Sequence, residues 1–306
     1  MDSPITSSVI LSGASGMLGS AIRQSLAATG ISSLQLVRRK PSGTGELEWD
    51  PMADPAISDP GPLEGATAAI HLSGANVGAH RWTDRYKLQM ISSRINSTHR
   101  LATVLAGLRT PPRTLLVASA IGFYGNRGDE VLEESAANGD GFLADLCRAW
   151  EGAADTARRG GIRVVHLRFG VVLGRGDGAL KQMLPPFRIG LGARIGDGRQ
   201  WMSWVALDDA VAAVLFALQR NEIAGPVNVT SPNPVTNAEF THALGRQLGR
   251  PAFLSVPAFA VRMMFGEMAD EALLASIRVR PRKLIEAGFQ FSKADLDQAI
   301  ASALRK

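Results

Sequence analysis

The sequence predicts an α/β protein with a doubly wound parallel sheet, followed by a smaller, mainly helical C-terminal lobe. Short apolar segments alternate with amphipathic ones along residues 8–167, which is the order expected of βαβ units. Ala66–Leu72 and Thr114–Ser119 are nearly continuous apolar runs, as expected of strands covered on both faces. Between Gly174 and Gly198 the sequence becomes dense in Gly and Pro. Together these observations predict a Rossmann-like sheet of about six or seven strands with right-handed crossovers.

The individual elements follow in chain order. The apolar run Ser8–Ser12 predicts the first strand. Leu18, Ile22 and Leu26 recur at spacings of four, which predicts a helix over Met17–Ala28. The other predicted strands are Leu34–Val37, Glu46–Trp49, Ala66–Leu72, Thr114–Ser119, Arg163–Leu167 and Val227–Thr230, and the other predicted helices are Thr83–Leu108, Phe142–Arg159, Leu207–Gln219 and Thr236–Leu248.

The domain boundaries are placed where the alternation of strands and helices gives way to Gly- and Pro-rich or mainly helical sequence. Residues 1–174 and 206–231 are predicted to form the sheet domain, and residues 175–205 and 232–306 the smaller lobe. In open α/β sheets ligands bind in the crevice at the carboxyl ends of the strands. We therefore expect the smaller lobe to cover that crevice.

Composition excludes several classes of protein. The net charge is +5, but the basic residues are spread along the chain and form no nucleic-acid motif, so we expect no nucleic-acid partner. No apolar run is long enough to span a membrane, and residues 1–8 do not resemble a signal peptide. Cys147 is the only cysteine, so no internal disulfide forms, and a cytoplasmic location is expected. His and Cys spacing gives no metal site, and the expected assembly is a monomer or homodimer.

A glycine-rich turn, Gly13-Ala14-Ser15-Gly16-Met17-Leu18-Gly19, joins the first strand to the first helix. Gly13 permits a tight turn, Gly16 lets the backbone approach a pyrophosphate, and Gly19 allows close helix packing. The helix N-terminus adds free N–H groups and a field that favours anions. The spacing is GxxGxxG and not GxGxxG, but it occurs directly after a strand, which is the context a dinucleotide site requires.

The end of the second strand indicates which dinucleotide binds. An NAD site usually has an acidic residue there for the ribose 2′-hydroxyl. This chain has Arg38 and Arg39 followed by Lys40. Guanidinium groups pair with phosphate, whereas a carboxylate repels it. The pattern favours NADP(H) over NAD(H); alternatively, these are solvated charges that close a strand.

Segments throughout the chain combine into a family resemblance. Besides the glycine turn they are Trp49-Asp50-Pro51, His71-Leu72-Ser73-Gly74-Ala75-Asn76, Arg81-Trp82-Thr83, Ser119-Ala120-Ile121-Gly122-Phe123-Tyr124-Gly125, Gly198-Arg199-Gln200-Trp201-Met202-Ser203-Trp204, Asp208-Asp209 and Asn233-Pro234-Val235-Thr236-Asn237-Ala238-Glu239-Phe240. Over nearly its whole length the chain resembles an extended short-chain dehydrogenase/reductase. More narrowly it is similar to the atypical subgroup called epimerase family protein, or NAD-dependent epimerase-like.

The resemblance implies an NADP(H)-binding lobe and a C-terminal substrate lobe. To the cofactor site we assign, besides Gly13, Ser15, Gly16, Met17, Leu18, Gly19, Arg38 and Arg39, the residues Leu72, Ser73, Gly74, Arg94 and Ala118. Candidate substrate contacts are Asn76, Arg81, Trp82, Trp201 and Trp204. Tryptophans beside polar side chains suit a flat or ring-bearing ligand, although Trp201 and Trp204 alternatively brace the two lobes together.

The same resemblance exposes a missing catalytic pair. Active extended members place Tyr-x-x-x-Lys on the helix after the fifth strand, with the Tyr as acid/base. Alignment on Glu151 puts Leu143 at the Tyr position and Cys147 at the Lys position. Leucine cannot transfer a proton, so the standard mechanism does not carry over. The sequence predicts that Cys147 is a small buried residue and not a nucleophile.

Two hydroxyl groups remain as catalytic candidates. Ser119, at the end of the fifth strand, is placed to bond a substrate oxygen, or alternatively satisfies backbone. Tyr124 is a candidate acid if a cationic cofactor lowers its pKa, or alternatively a packing residue with its hydroxyl at the surface. Asp208 and Asp209 are predicted to cap the helix that begins there, and Glu239 to complete a capping box with Thr236.

The residues and the resemblance together predict an NADP(H)-dependent oxidoreductase or epimerase-like enzyme. Its substrate is an unidentified small carbonyl or hydroxyl compound. The alternative is a non-catalytic NADP(H)-binding sensor, which explains the missing Tyr and Lys most simply. A third interpretation, a partner-binding module, predicts an exposed apolar patch.

Overall fold

The computed structural model describes residues 8–176 and 178–305. Residues 1–7, on which the signal-peptide expectation rests, lie outside the described part. The strands are β1 Ser8–Ser12, β2 Ser32–Val37, β3 Glu46–Glu48, β4 Ala68–His71, β5 Thr114–Ala120, β6 Val131–Leu132, β7 Arg163–Phe169, β8 Val171–Leu173, β9 Ala193–Ile195, β10 Trp201–Met202, β11 Trp204–Ala206, β12 Gly225–Val229, β13 Val235–Thr236, β14 Leu254–Val256 and β15 Arg278–Val279. The α-helices are α1 Met17–Ala28, α2 Asp84–Ile91, α3 Ser97–Ala106, α4 Phe142–Gly152, α5 Asp155–Arg159, α6 Gly178–Arg188, α7 Leu207–Gln219, α8 Asn237–Leu248, α9 Ala258–Phe265, α10 Arg282–Glu286 and α11 Leu296–Leu304.

Seven parallel strands form the central sheet in the order β12-β7-β5-β4-β1-β2-β3, which confirms the predicted fold class. The sheet is doubly wound because consecutive side chains of β1 enter different cores. Val9 and Leu11 pack with helices α1 and α7, whereas Ile10 packs with α3 and α5. The strand order reverses between β1 and β4, so the carboxyl ends of these strands border the crevice expected to hold a ligand.

The long predicted helix Thr83–Leu108 is interrupted. Helices α2 and α3 are separated by a π-helical turn over Ser92–Asn96, which carries Arg94. In this turn the Ser97 hydroxyl donates to the Ser93 carbonyl at 2.6 Å. Hydrogen bonds from a serine hydroxyl to a backbone carbonyl compete with regular helix geometry. The spacing of apolar residues does not predict them.

The predicted helix Phe142–Arg159 is also divided, into α4 and α5, by a break at Ala153 and Ala154. Apolar periodicity continues through the break, since Trp150, Ala154 and Ala157 all pack in the same core. The periodicity therefore predicted the buried face correctly and the continuity of the backbone wrongly.

The prediction that Asp208 and Asp209 cap helix α7 is wrong. Ala206 occupies the N-cap position, and no side chain bonds to that end of the helix. Instead the buried Asp209 carboxylate accepts from the Ser292 amide at 2.8 Å and the Lys293 amide at 2.9 Å, and Asp208 pairs with the Lys293 ammonium. The acids tie a distant loop to α7, which local sequence cannot show.

The capping box predicted for α8 is confirmed: Thr236 accepts from the Glu239 amide, and the Glu239 carboxylate accepts from the Thr236 amide at 2.7 Å.

The C-terminal elements build a separate apolar cluster above the sheet. Side chains of α6, α8 and α11 pack there around Trp204, which is fully buried. Short strand pairs, β9 with β14 and β10 with β13, hold the loops around this cluster. The division into two domains at the stated boundaries stays a prediction. No helix of the described residues is both long and apolar enough to cross a bilayer.

Candidate functional site

The glycine turn between β1 and α1 is shaped by close backbone contacts. Gly13 has φ +75°, and a Cβ there would lie 2.9 Å from the Leu72 carbonyl carbon. A Cβ on Gly19 would lie 2.1 Å from the Gly13 oxygen, so α1 approaches the turn more closely than any side chain permits. Gly16 is exposed, and a Cβ there would meet only the Gly13 oxygen, at 3.5 Å. The turn is therefore tight on its inner side and open on its outer side.

The N-terminus of α1 carries unsatisfied donors toward that open side. Gly16 is the N-cap residue, no side chain caps this end, and no acidic residue lies in the first turn. The first amides of a helix have no intrahelical partner, and the helix dipole places partial positive charge there. An anion is the natural partner for this end of the helix.

The two arginines after β2 differ in their surroundings. Arg39 forms a two-point ion pair with Glu46, with N–O distances of 2.6 and 2.8 Å, and this guanidinium together with hydrogen bonds from Ser42 lowers the pKa of Glu46 to about 2. Arg38 is exposed and has no ion-pair partner in the described part of the chain. The sequence-based prediction assigned both arginines to the phosphate without distinction. The structure leaves Arg38 open and places Arg39 beside a carboxylate that would compete with a phosphate.

A chain of buried polar groups lies beneath the turn. The Ser12 hydroxyl lies 2.5 Å from His71 Nδ1, the Ser73 hydroxyl donates to Ser12 at 3.2 Å, and His71 Nε2 lies 3.1 Å from the Ser97 hydroxyl. Burial lowers the pKa of His71 to about 3, so its imidazole is neutral. Both ring nitrogens have a partner, which makes this histidine structural.

Arg94 lies buried under the loop that follows β4. It donates to the Ala75 carbonyl at 2.8 Å and to the Met90 carbonyl at 3.3 Å. A Cβ on Gly74 would lie 3.3 Å from the guanidinium carbon, which lies 5.0 Å from the centroid of the Trp150 ring. Within the described residues Arg94 has no carboxylate partner, and burial lowers its pKa. A positive charge thus lies directly behind Gly74.

Ser119 belongs to a buried ion-pair network at the carboxyl ends of β5 and β7. Its hydroxyl donates to Glu151 Oε1 at 2.8 Å. The Glu151 carboxylate accepts two bonds from Arg168, at 2.8 and 2.9 Å, and both side chains are largely buried. The Ser119 proton is therefore directed at a carboxylate inside the protein.

Tyr124 continues this network toward β12. Its hydroxyl donates to Asn228 Oδ1 at 2.7 Å and accepts from Arg168 at 3.0 Å. The side chain is fully buried, and burial raises its pKa. The lowering of its pKa by a bound cofactor stays a prediction, whereas the alternative that placed the hydroxyl at the surface is wrong.

Glu134 completes the network. Its Oε1 accepts from the amides of Asn228 and Lys283, at 3.1 and 3.2 Å. Its Oε2 is buried without a hydrogen-bond partner among the described residues, and burial raises its pKa. A charged residue among buried apolar ones predicts a buried partner, so Arg168, beside the buried Leu167, was a signal of this network in the sequence. Its partners lie too far away along the chain to be paired by inspection.

The positions of the missing catalytic pair are occupied by packed side chains. Leu143 and Cys147 both lie against Gly122, whose Cβ would be 3.4 Å from Leu143 and 3.8 Å from the Cys147 sulfur. Burial raises the pKa of the Cys147 thiol to about 12. The thiol is therefore neutral and buried, as predicted, and neither side chain can exchange a proton at neutral pH.

The three tryptophans among the predicted substrate contacts already bond to other residues of the protein. Trp82 and Trp204 are buried, and their ring N–H groups donate to the carbonyls of Val77 at 2.9 Å and Asn233 at 3.1 Å. Trp201 donates to Asp129 at 2.8 Å, and its ring is covered by the Arg278 guanidinium at 4.0 Å. Burial removes Trp82 and Trp204 as ligand contacts, and for Trp204 it favours the bracing role.

Asn76 and Arg81 remain accessible on the loop after β4. Both side chains are exposed. Asn76 Oδ1 accepts from the Gly78 amide at 2.9 Å, and a Cβ on Gly266 would lie 3.4 Å from the Arg81 guanidinium. These two residues are the polar groups of the predicted substrate set that stay open to a ligand.

Comparison with known proteins places these features in context. Residues 9–230 match the NAD dependent epimerase/dehydratase family, and residues 256–303 match a domain of unknown function, DUF1731. The chain is 44% identical to the epimerase family protein Mb2239 of Mycobacterium bovis over 295 residues, which are 96% of this chain and 97% of that protein.

Two solved structures are similar over most of the chain. One is the human epimerase family protein SDR39U1 (isoform2) with NADPH: it is 33% identical, with a TM-score of 0.88 over 97% of this chain and 98% of that one. The other is described as the nucleoside-diphosphate sugar epimerase from Corynebacterium glutamicum. It is 35% identical, with a TM-score of 0.79 over 97% of this chain and 58% of that one.

Proposed function

The chain belongs to the NAD dependent epimerase/dehydratase family, and we propose that it is an NADP(H)-dependent oxidoreductase or epimerase-like enzyme acting on a small carbonyl or hydroxyl compound. One observation carries the proposal: the uncapped N-terminus of α1 lies at the open side of the glycine turn, and Arg38 lies unpaired at the end of the neighbouring strand. A pyrophosphate and a ribose 2′-phosphate are the anions that fit these two places. The human relative solved with NADPH supports the choice of cofactor.

The glycine turn would hold the pyrophosphate through the backbone amides of Ser15, Met17 and Leu18. Gly16 fits this role because its outer side is open, so backbone rather than side chain faces the ligand. Gly13 and Gly19 keep the turn tight enough to direct these amides outward. Arg38 would bind the 2′-phosphate, and Arg39 would contribute less because Glu46 already neutralises it.

The loop after β4 would hold the nicotinamide half. Leu72, Ser73 and Gly74 present backbone at the end of the strand, beside Ala118 of β5. Arg94 behind Gly74 would supply positive charge without competition from a carboxylate. The nicotinamide, when bound, donates or accepts the hydride, and the protein orients it.

Ser119 and Tyr124 would act as positioning residues beneath the substrate and not as proton donors. Both hydroxyl protons are directed into the protein, toward Glu151 and Asn228. Their network fixes the floor of the crevice, while the exposed Asn76 and Arg81 would contact the substrate from the loop above. Without a Tyr-x-x-x-Lys pair, the proton that accompanies the hydride would come from water at the open side of the crevice.

Calorimetric titration with NADPH and NADH tests the cofactor assignment. Arg38→Ala is expected to weaken NADPH binding at least tenfold and to leave NADH binding nearly unchanged, because only NADPH carries the 2′-phosphate. Arg39→Ala, the matched control, should have a smaller effect because the Arg39 guanidinium is already engaged by Glu46. Absence of NADPH binding, or NADH preference in the wild type, would contradict the proposal.

Turnover measurements test the reaction. Purified protein is incubated with NADPH and a panel of carbonyl compounds, and the oxidation of NADPH is followed by absorbance. Ser119→Ala and Tyr124→Phe should lower kcat while NADPH affinity stays within about threefold, as positioning roles require. Tight NADPH binding with no turnover on any compound would leave the cofactor site intact and refute the enzyme.

A further inference from the structure

Two neighbouring segments of the C-terminal lobe expose large apolar side chains. Residues 186–196 and 249–266 lie together because β9 pairs with β14, and a Cβ on Gly190 would lie 3.7 Å from the Pro251 ring. We call the exposed side chains of these segments the apolar patch; they are Ile189, Leu191, Phe253, Leu254, Phe259, Met263, Met264 and Phe265.

Helix α9 contributes the most exposed face of the apolar patch. Val261 is its one buried residue. Phe259 and Met263, one turn apart, are 66% and 73% exposed, and Met264 beside them is 56% exposed. The helix thus directs its larger apolar side chains outward, the reverse of an ordinary surface helix.

The size of the apolar patch distinguishes it from scattered surface residues. Summed over all eight side chains, with roughly 200 Å² for a fully exposed large apolar side chain, the exposed area is about 900 Å². The largest apolar patch on a typical monomer is roughly 300–600 Å². An exposed apolar surface of this extent is typical of a binding site for an apolar partner or a membrane.

All the charged residues within the two segments are basic, while the acids that adjoin them include Asp197, Glu267, which pairs with Lys87, and Asp270. The two segments contain Arg188, Arg194, Arg250 and Arg262 and no Asp or Glu. Arg262 pairs with Asp270 at 2.9 Å, whereas the other three have no ion-pair partner in the described part of the chain. A two-fold dimer through this surface would bring the same patch, and thus the same arginines, together. The charge therefore favours an anionic occupant over a second copy of the chain.

We propose that the apolar patch is a docking surface for an anionic lipid bilayer. Helix α9 lies in the plane of the interface, with Phe259, Met263 and Met264 entering the boundary between headgroups and acyl chains. Arg188, Arg194 and Arg250 lie at the depth of the lipid phosphates. Such attachment is peripheral and requires no membrane-spanning helix. It is independent of the proposed NADP(H) chemistry.

Vesicle flotation of the full chain tests this docking. The protein should float with phosphatidylcholine vesicles that contain phosphatidylserine, much less with pure phosphatidylcholine, and less as salt is added. Arg188→Glu and Arg250→Glu should each weaken binding at least fivefold, and Met263→Glu at least tenfold. Leu88→Glu is the matched control, since Leu88 is 65% exposed on α2, outside the patch.

NADPH affinity is measured on each variant, so that loss of docking is separated from misfolding and from failure of the proposed function. Absence of flotation with anionic vesicles, or equal losses in Met263→Glu and Leu88→Glu, overturns the proposal. So does a wild-type dimer in sedimentation analysis that Met263→Glu dissociates, because the patch is then the contact between two copies.

Discussion

The two ends of the crevice satisfy their polar groups in opposite ways. At the β1–β2 end, no side chain of the described residues caps the α1 amides or pairs with Arg38, so donors face outward. At the β5–β7–β12 end Ser119 and Tyr124 donate inward, to Glu151 and Asn228. An exposed donor bonds to water until a ligand replaces it, whereas a buried donor is costly unless the protein itself supplies the acceptor. The first end is built to bind an anion and the second to hold its own shape.

This contrast bears on the absent Tyr-x-x-x-Lys pair. Leu143 and Cys147 fill that helix face with packed, neutral side chains. The nearby ionic groups serve the buried network instead. The chain therefore keeps the features of a cofactor site while it lacks the Tyr and Lys that supply proton transfer in other extended members.

The largest expected effect comes from disrupting the buried network at the β5–β7–β12 end, which we call the closed end. Glu151→Ala leaves Arg168 buried without a counter-charge, so we expect the free energy of unfolding to fall by about 3–5 kcal/mol. NADPH affinity should change little, because the network lies away from the glycine turn. Denaturant unfolding measures the first quantity and calorimetry the second.

Asp145→Ala is the control for this test, since Asp145 forms an exposed ion pair with Arg148 on the same helix. Its loss should cost less than about 1 kcal/mol. If both variants cost the same, the Glu151–Arg168 pair does not stabilise the closed end and the contrast between the two ends is wrong.

The second test alters the glycine turn at the β1–β2 end, which we call the open end. Gly19→Ala forces a methyl group to within 2.1 Å of the Gly13 oxygen unless α1 moves. Overpacking of this kind costs about 1–3 kcal/mol of stability, and the displaced helix end should lose at least tenfold in NADPH affinity. Gly152→Ala is the control, because nothing lies within 4 Å of a Cβ there. A variant that kept full affinity would show that the turn does not hold the pyrophosphate.

The open end was more accessible to sequence reasoning than the closed one. Bounds of β1, α1 and α7 follow from local apolar spacing and coincide with the structure. The glycine turn is equally local. The closed end joins residues far apart, such as Tyr124 and Asn228, 104 positions apart. Only the tertiary fold brings such partners together.

Burial explains the remaining differences. Tyr124 lies in a glycine-containing loop, which suggested accessibility, but the pairing of β6 with β15 covers it. Trp204 closely follows the Gly- and Pro-rich stretch that ends at Gly198 and nevertheless occupies the core of the C-terminal cluster. Loop composition indicates backbone shape; it does not indicate which side chains the next element covers.

The smallest expected effect concerns the buried chain under the turn, which lies between the two ends. His71 has a pKa of about 3 in the folded protein and an ordinary value of 6.5 when unfolded. The unfolded state therefore binds the proton first, and stability present above pH 6.5 is lost as the pH falls toward 3. This one group should cost about 1 kcal/mol over the first pH unit below 6.5.

Chemical unfolding at pH 6.5 and one unit lower measures this loss. In His71→Gln the loss over that pH unit should shrink by about 1 kcal/mol, because the group that binds the extra proton on unfolding is gone. His99→Gln, which removes an exposed histidine on α3, is the control. Equal slopes in all three proteins would mean that His71 is as accessible to protons in the folded state as in the unfolded one, and that the region beneath the turn is open like the cofactor end above it.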